Sequence, residues 1–216
     1  MKTLLRTLLI AALAPFPTAL LAQTATKSTT SAPAADQGKD KAPNYYPLKV
    51  GTKWHYQLDA GNGQKVQLVS EIGGVDTING KTLARLEVAA NGKKLPTTEH
   101  LDSDDKGVYR VRMNNMEVTP PIQLIKYPLK EGQTWGGESS ALGQKMKVDC
   151  SEGKAEEIQV PAGKYKTIPT TITVTQGPTK LKNVFWFAEG VGIVKQLSEI
   201  GPQTITLELT KYEAAK

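Results

Sequence analysis

The chain has 216 residues, of which 39% are hydrophobic and 22% charged, so it is long and apolar enough for a domain with a buried core. Its net charge of +6 is mild and its basic residues are scattered, whereas nucleic-acid-binding proteins concentrate basic residues on one face. We therefore predict no nucleic-acid partner. The single cysteine excludes a disulfide framework within the chain.

Residues 1–22 have the pattern of a secretory signal peptide. Lys2 and Arg6 give a positive start, an apolar run covers 4–14, and Ala22 supplies the small residue that precedes a cleavage site. The run is too short to span a bilayer, and no cysteine for lipid attachment follows it. The sequence therefore predicts a periplasmic or extracellular protein with no membrane span and no lipid anchor.

Residues 23–43 consist mostly of Thr, Ser, Ala, Lys, Asp and Pro, with almost no apolar side chain to bury. Such a segment cannot offset the entropy lost on ordering, so we predict a disordered leader. The remaining residues, 44–216, form a single predicted β domain.

The frame Tyr-Pro-Leu-Lys-x-Gly-x-x-Trp occurs at 46–54 and again at 127–135. Proline holds the preceding tyrosine in an extended conformation, and the glycine permits a tight turn. Trp54 and Trp135 then begin strands, and we interpret them as core residues that close each half. The alternative is a pair of tryptophans that face a ligand.

The similarity between the two halves continues beyond this frame. Gly63–Leu68 is echoed by Gly143–Val148, and both stretches follow their tryptophan at nearly the same distance. We predict two copies of one β unit, about 45–119 and 126–213, which share one core because each is too short to enclose its own.

Apolar and polar residues alternate through nearly all of 44–216, and a turn signal comes about every ten residues. Asn79-Gly80 has the composition of a two-residue hairpin turn between strands at 75–78 and 82–88. Pro120-Pro121 is expected to end the first copy. The pattern predicts an all-β antiparallel fold of about twelve strands, built as two curved sheets or as an incompletely closed barrel.

Two candidate metal sites lack most of the ligands that a metal ion requires. Asp102–Gly107 begins like a calcium loop but has Lys106 at the fifth position and Met113 at the twelfth, where a glutamate is needed. His55 and His100 are the only histidines, whereas zinc takes three or four protein ligands. We therefore predict no metal and no cofactor.

No sequence pattern of a catalytic site is present either. Ser139-Ser140 lacks the Gly-x-Ser-x-Gly frame, and Cys150 lacks the surroundings of a papain-like nucleophile. Cys150 is interpreted as a small buried hydrophobic residue, with pairing between two chains as the alternative. We predict that the protein is not an enzyme.

Two further motifs accompany the repeated frame: Val-Pro-Ala-Gly-Lys-Tyr at 160–165 and Trp-Phe-Ala-Glu-Gly-Val-Gly-Ile-Val-Lys at 186–195. In this order the motifs resemble a family of exported bacterial β-domain proteins known as TapB-like or as a domain of unknown function. The resemblance covers 45–213 and implies an envelope or secreted β domain, often tethered by lipid in relatives. It implies no catalytic residues.

Two functions follow as hypotheses. The first is a non-enzymatic exported module that contacts an envelope or secreted protein by strand addition. The second is a carrier of an apolar small molecule or lipid in a half-open barrel. The aromatic residues that would line its ligand site, or else fill the core, are Trp54, Trp135, Phe185, Trp186 and Phe187.

Overall fold

The computed structural model describes residues 43–61, 63–141 and 143–216. The predicted signal peptide, and all of the predicted leader except residue 43, lie outside the described residues. The described chain forms thirteen strands. They are β1 (Lys53–Asp59), β2 (Lys65–Ile78), β3 (Lys81–Ala90), β4 (Lys93–Asp104), β5 (Gly107–Met113), β6 (Met116–Lys126), β7 (Thr134–Ala141), β8 (Gln144–Glu152), β9 (Glu156–Val160), β10 (Gly163–Gln176), β11 (Thr179–Ala188), β12 (Gly192–Ile200) and β13 (Gln203–Glu213).

Twelve of these strands form a closed antiparallel barrel. Strands β1 to β8 are neighbours in chain order, and β13 returns to pair with β1. The ring closes through β10, whose second half pairs with β8 on one edge and with β11 on the other. The all-β antiparallel prediction is confirmed. The expectation of two sheets or an incomplete barrel is wrong, because residues 168–176 of β10 pair with β11 on one edge and, over 170–175, with β8 on the other.

The alternation of side chains explains where the core lies. In β1, Trp54, Tyr56 and Leu58 are buried, and the residues between them are partly exposed. The neighbouring β13 buries Ile205, Leu207 and Leu209 in the same alternating way. The buried residues of all the ring strands meet in one hydrophobic cluster, so the barrel interior is the core.

Two local predictions differ from the structure. The segments 65–72 and 75–78 form one strand, β2, whose register shifts by a bulge between Ile72 and Gly74. A Cβ on Gly73 would lie 2.6 Å from the Glu87 carboxylate, so a larger residue at the bulge would displace the end of that side chain. Pro120-Pro121 lies inside β6 instead of ending the first copy, at a place where ladder pairing with β7 is interrupted.

The two copies of the repeated frame make corresponding backbone hydrogen bonds. Gly51 N–H donates to the Ile72 carbonyl over 2.8 Å, and Gly132 N–H donates to the Glu152 carbonyl over 2.9 Å. Each frame thus ties the start of its first strand to the second strand of its half. The duplication itself stays a prediction.

Candidate functional site

One end of the barrel is filled by aromatic residues of the first frame. Trp54 is fully buried, and its ring lies 5.5 Å from that of Tyr46, edge to face. Its indole N–H donates to the Val191 carbonyl over 2.6 Å, and Tyr56 Oη donates to the Ile193 carbonyl over 2.8 Å. Two side chains of β1 therefore hold the turn before β12 and the start of β12 itself.

The aromatic residues of β11 divide between the core and the outer face. Phe185 and Phe187 are buried inside the barrel, with ring centroids 6.0 Å apart. Trp186 points outwards, where its Nε1 donates to Glu156 over 2.7 Å and Lys195 Nζ lies 5.9 Å from its ring centroid. The five predicted aromatic positions therefore do not converge on one ligand site.

The cavity that Phe185 and Phe187 border inside the barrel has a volume of about 30 Å³. Its other walls include an ion pair in which Arg110 donates from Nε to Glu99 Oε2 over 2.8 Å. A space of this size holds about one water molecule, whereas pockets for small-molecule ligands have volumes of roughly 300–1,000 Å³. This cavity is too small for a lipid.

The ladder of the barrel is weakest between β6 and β7. Their register contains one pair, Thr119 with Ser140. Beyond this pair, side chains of β7 bond to carbonyls of β6: Ser139 Oγ donates to Pro120 over 2.7 Å, and Trp135 Nε1 donates to Gln123 over 2.9 Å. The two strands are joined by side chains where proline removes backbone donors.

Two surface cavities flank the half-buried Trp135 beside this seam. One, of about 220 Å³, lies between β6 and β7. The other, of about 540 Å³, is an open groove over β7, β8 and β10. The groove is lined by Thr134, Trp135, Gly136, Gly137, Asp149, Cys150, Ser151, Thr171 and Thr173. Among these residues, sequence patterns identified Trp135 and Cys150, which are cross-strand partners on the inner face. They identified none of the outward-facing ones, because isolated threonines in strands resemble any solvated face.

Cys150 is a buried residue of β8, only 4% exposed. Burial, and secondarily the charge of Asp149, raises the pKa of its thiol to about 12. A thiol with such a pKa is almost entirely protonated at neutral pH and reacts slowly. The geometry therefore favours the buried hydrophobic role over pairing between chains.

The two histidines bind different carboxylates. His55 Nε2 lies 2.6 Å from Glu213 Oε1, and His100 Nε2 lies 2.8 Å from Asp76 Oδ2. Arg85 Nη1 also donates to Asp76, over 2.7 Å. Burial raises the pKa of Asp76, but the hydrogen bonds from His100 and Arg85 outweigh that effect, so the pKa is lowered.

The second half of β2 has a free edge. β1 pairs with β2 only as far as Glu71, so among the described strands Gly73–Ile78 pairs with β3 alone. Val75, in the middle of this edge, is 51% exposed. Asn79 and Gly80 have φ values of 52° and 77°, which confirms the predicted two-residue turn at the tip.

Within 43–61, 63–141 and 143–216, no three His, Cys, Asp or Glu side chains are grouped so that they could hold a metal ion. The same ranges contain no helix long and apolar enough to cross a membrane.

Comparison with known proteins identifies the fold. No protein-family model and no curated protein matches the sequence, so the TapB-like resemblance stays a prediction. A Bacteroides fragilis protein, described as exported and as having a YmcC-like fold, superposes with a TM-score of 0.53 and 13% identity over 80% of this chain and 100% of its own. A Parabacteroides distasonis protein described as a lipoprotein superposes with a TM-score of 0.50 and 12% identity over 81% of this chain and 100% of its own. These likenesses show that the barrel fold is shared.

Proposed function

We propose that the protein is an exported, non-enzymatic module that binds an extended segment of another envelope or secreted protein along the free edge of β2. The observation that carries the proposal is the unpaired edge of Gly73–Ile78 with Val75 exposed at its centre. Export is supported by the signal-like pattern of residues 1–22 and by the described export of the Bacteroides fragilis protein with the same fold.

The turn at the tip determines which backbone groups are free. In a two-residue hairpin the residues that flank the turn, Ile78 and Lys81, form a hydrogen-bonded pair. In the next pair, Thr77 and Thr82, the backbone N–H and C=O groups point away from the partner strand. The same holds for Val75 and Ala84. Val75 and Thr77 therefore offer N–H and C=O groups to an added strand.

In the predicted second copy, the strand that corresponds to Gly73–Ile78 is β9, and its edge is protected. β9 pairs with β10 alone in its ladder, but Glu156 and Glu157 are exposed charged residues on it. The turn after β9 is also tied to β13, because Ala162 N–H donates to the Leu209 carbonyl over 2.9 Å. Charges and coverage are among the means by which proteins block edge pairing, whereas Val75 on the β2 edge is uncharged and 51% exposed.

The carrier hypothesis receives less support from the geometry. Trp54, Phe185 and Phe187 are packed in the core, and the cavity beside the two phenylalanines is about 30 Å³. A lipid would have to displace core side chains to enter there.

Site-specific photocrosslinking in the exporting cell tests the proposal. A benzoylphenylalanine at Val75 should crosslink one defined protein, and the same group at Gln159 on the β9 edge should not. Thr77→Pro should abolish the crosslink because proline has no N–H for the added strand, whereas Thr77→Val should retain it. A crosslink at Val75 that survives Thr77→Pro, or no specific crosslink, would refute docking by strand addition.

A further inference from the structure

The outer face of β7, β8 and β10 carries an ordered array of small polar residues. Cross-strand partners place Thr134, Ser151 and Thr171 in one row. The adjacent outward row consists of Gly136, Asp149 and Thr173. These six residues line the 540 Å³ groove beside Trp135.

The alternation of burial confirms that this face is the outer one. On β8, buried Val148 and Cys150 separate Asp149 from its neighbours, and on β10 the buried Ile172 lies between Thr171 and Thr173. The hydroxyls of the array therefore point away from the core.

The groove exists because β7 lacks side chains where it borders the array. A Cβ on Gly136 would lie 2.1 Å from the Val148 carbonyl, so only glycine fits there. Gly137, the next residue, has nothing within 4 Å of where its Cβ would be. Gly136, which lies on the face of the array, thus leaves a gap beside the hydroxyl rows.

The hydroxyls of the groove form no hydrogen bond with the described residues. Within the described part of the chain, no hydrogen bond is formed by the side chains of Thr134, Ser151, Thr171 or Thr173, and the last three are only partly exposed. Among the described residues that line the groove, Asp149 is the one charged side chain, and Lys147 Nζ lies 3.1 Å from it. The groove is thus nearly neutral and rich in groups that both donate and accept hydrogen bonds.

We propose that this groove binds a neutral carbohydrate. A sugar ring presents a hydroxyl on nearly every carbon and so can satisfy closely spaced threonine and serine hydroxyls together with the Gly136 backbone. An apolar ligand would leave those hydroxyls unpaired, and an anionic one would face the Asp149 carboxylate. The volume of the groove lies in the range of small-ligand pockets, about 300–1,000 Å³.

Amide NMR of the full exported chain, titrated with maltotriose and with the disaccharide of N-acetylglucosamine, tests this inference. At least one probe should shift amides at 134–137, 149–151 and 171–173 in a saturable way. Replacing Thr171 and Thr173 together by valine keeps the shape but removes two hydroxyls, so affinity should fall roughly tenfold. The matched control is Thr175→Val, one outward row beyond the groove on β10, which should leave affinity unchanged.

Three results would overturn the inference: no shift with either sugar, shifts that map elsewhere, or an equal loss with Thr175→Val. Each variant changes only outward-facing residues, and its amide spectrum reports directly whether the barrel is folded. The β2 edge is not altered, so the outcome is independent of the crosslinking experiment.

Discussion

The indole N–H of Trp54 donates a hydrogen bond to the backbone oxygen of Val191 over 2.6 Å, although the two residues are 137 positions apart. This bond joins the first strand of the barrel to the turn that begins β12. Because the indole is fully buried, its N–H would have no access to water without the Val191 carbonyl.

Trp54→Phe should therefore reduce the free energy of unfolding by about 1–3 kcal/mol, since the Val191 oxygen is left without a donor. Urea denaturation monitored by circular dichroism measures the change. Trp186→Phe is the matched control on the outer face and should cost about 0.5 kcal/mol or less. Equal losses in the two variants would contradict the role assigned to the buried bond.

Gly192 lies against the same indole. Its φ is +102°, and an added Cβ would lie 3.1 Å from Trp54 Nε1 and 3.1 Å from Tyr46 Cδ2. Gly190, with φ of +73°, has nothing within 4 Å of its Cβ position. Gly192→Ala should thus reduce the free energy of unfolding by roughly 1–3 kcal/mol more than Gly190→Ala does in the same denaturation assay. A smaller or reversed difference would show that the aromatic cluster can shift.

The ion pair of Glu99 and Arg110 is almost entirely withdrawn from water, with side chains 5% and 15% exposed. Arg110→Met should destabilise the protein by about 3–5 kcal/mol, because the carboxylate is left buried without its partner. The double variant Glu99→Leu, Arg110→Met should recover most of that loss. A double-mutant cycle measures the coupling, and a double variant less stable than Arg110→Met alone would refute this account.

The raised pKa of Cys150, about 12, predicts slow thiol chemistry in the folded protein. At about pH 8, labelling by a disulfide reagent should be slower by more than roughly a hundredfold in the native protein than in urea. Non-reducing electrophoresis should show one chain per molecule. Rapid labelling of the Cys150 thiol in the native protein, or a dimer that a reductant converts to monomers, would restore the alternative of pairing between chains.

Asp76 makes the free energy of unfolding depend on pH in the acid range. Its pKa is lowered in the folded state, so its contribution is present above the unfolded pKa of about 4 and is lost as the pH falls through the folded value. Asp76→Asn should lower the urea midpoint at about pH 6, and the difference from the unchanged protein should shrink below about pH 3. A difference independent of pH would exclude the carboxylate charge as its cause.

Local signals predicted the strands well where neighbouring residues alone decide the conformation. The alternation after Trp54 and the Asn79-Gly80 turn are properties of the nearest residues in the chain. Closure of the ring was not predicted, because it depends on β10 pairing with both β8 and β11. Period-two alternation indicates a strand but does not show which strands it pairs with.

The candidate sites depended even more on the tertiary structure. Val75 is an ordinary strand valine in the sequence, and it becomes an exposed edge residue only because β1 pairs no further than Glu71. Thr171 and Thr173 belong to a candidate site only because strand pairing brings them beside residues that lie far away in the chain.

The sequence by itself determined an antiparallel all-β chain with tryptophans at the starts of β1 and β7, since backbone geometry and side-chain alternation are encoded locally. The tertiary structure alone decided that the ring is closed, that Trp54 is buried while Trp135 borders two cavities, and which edge remains free. The physical reason is that ladder pairing joins residues distant in sequence, and that pairing determines which polar groups are satisfied and which remain available.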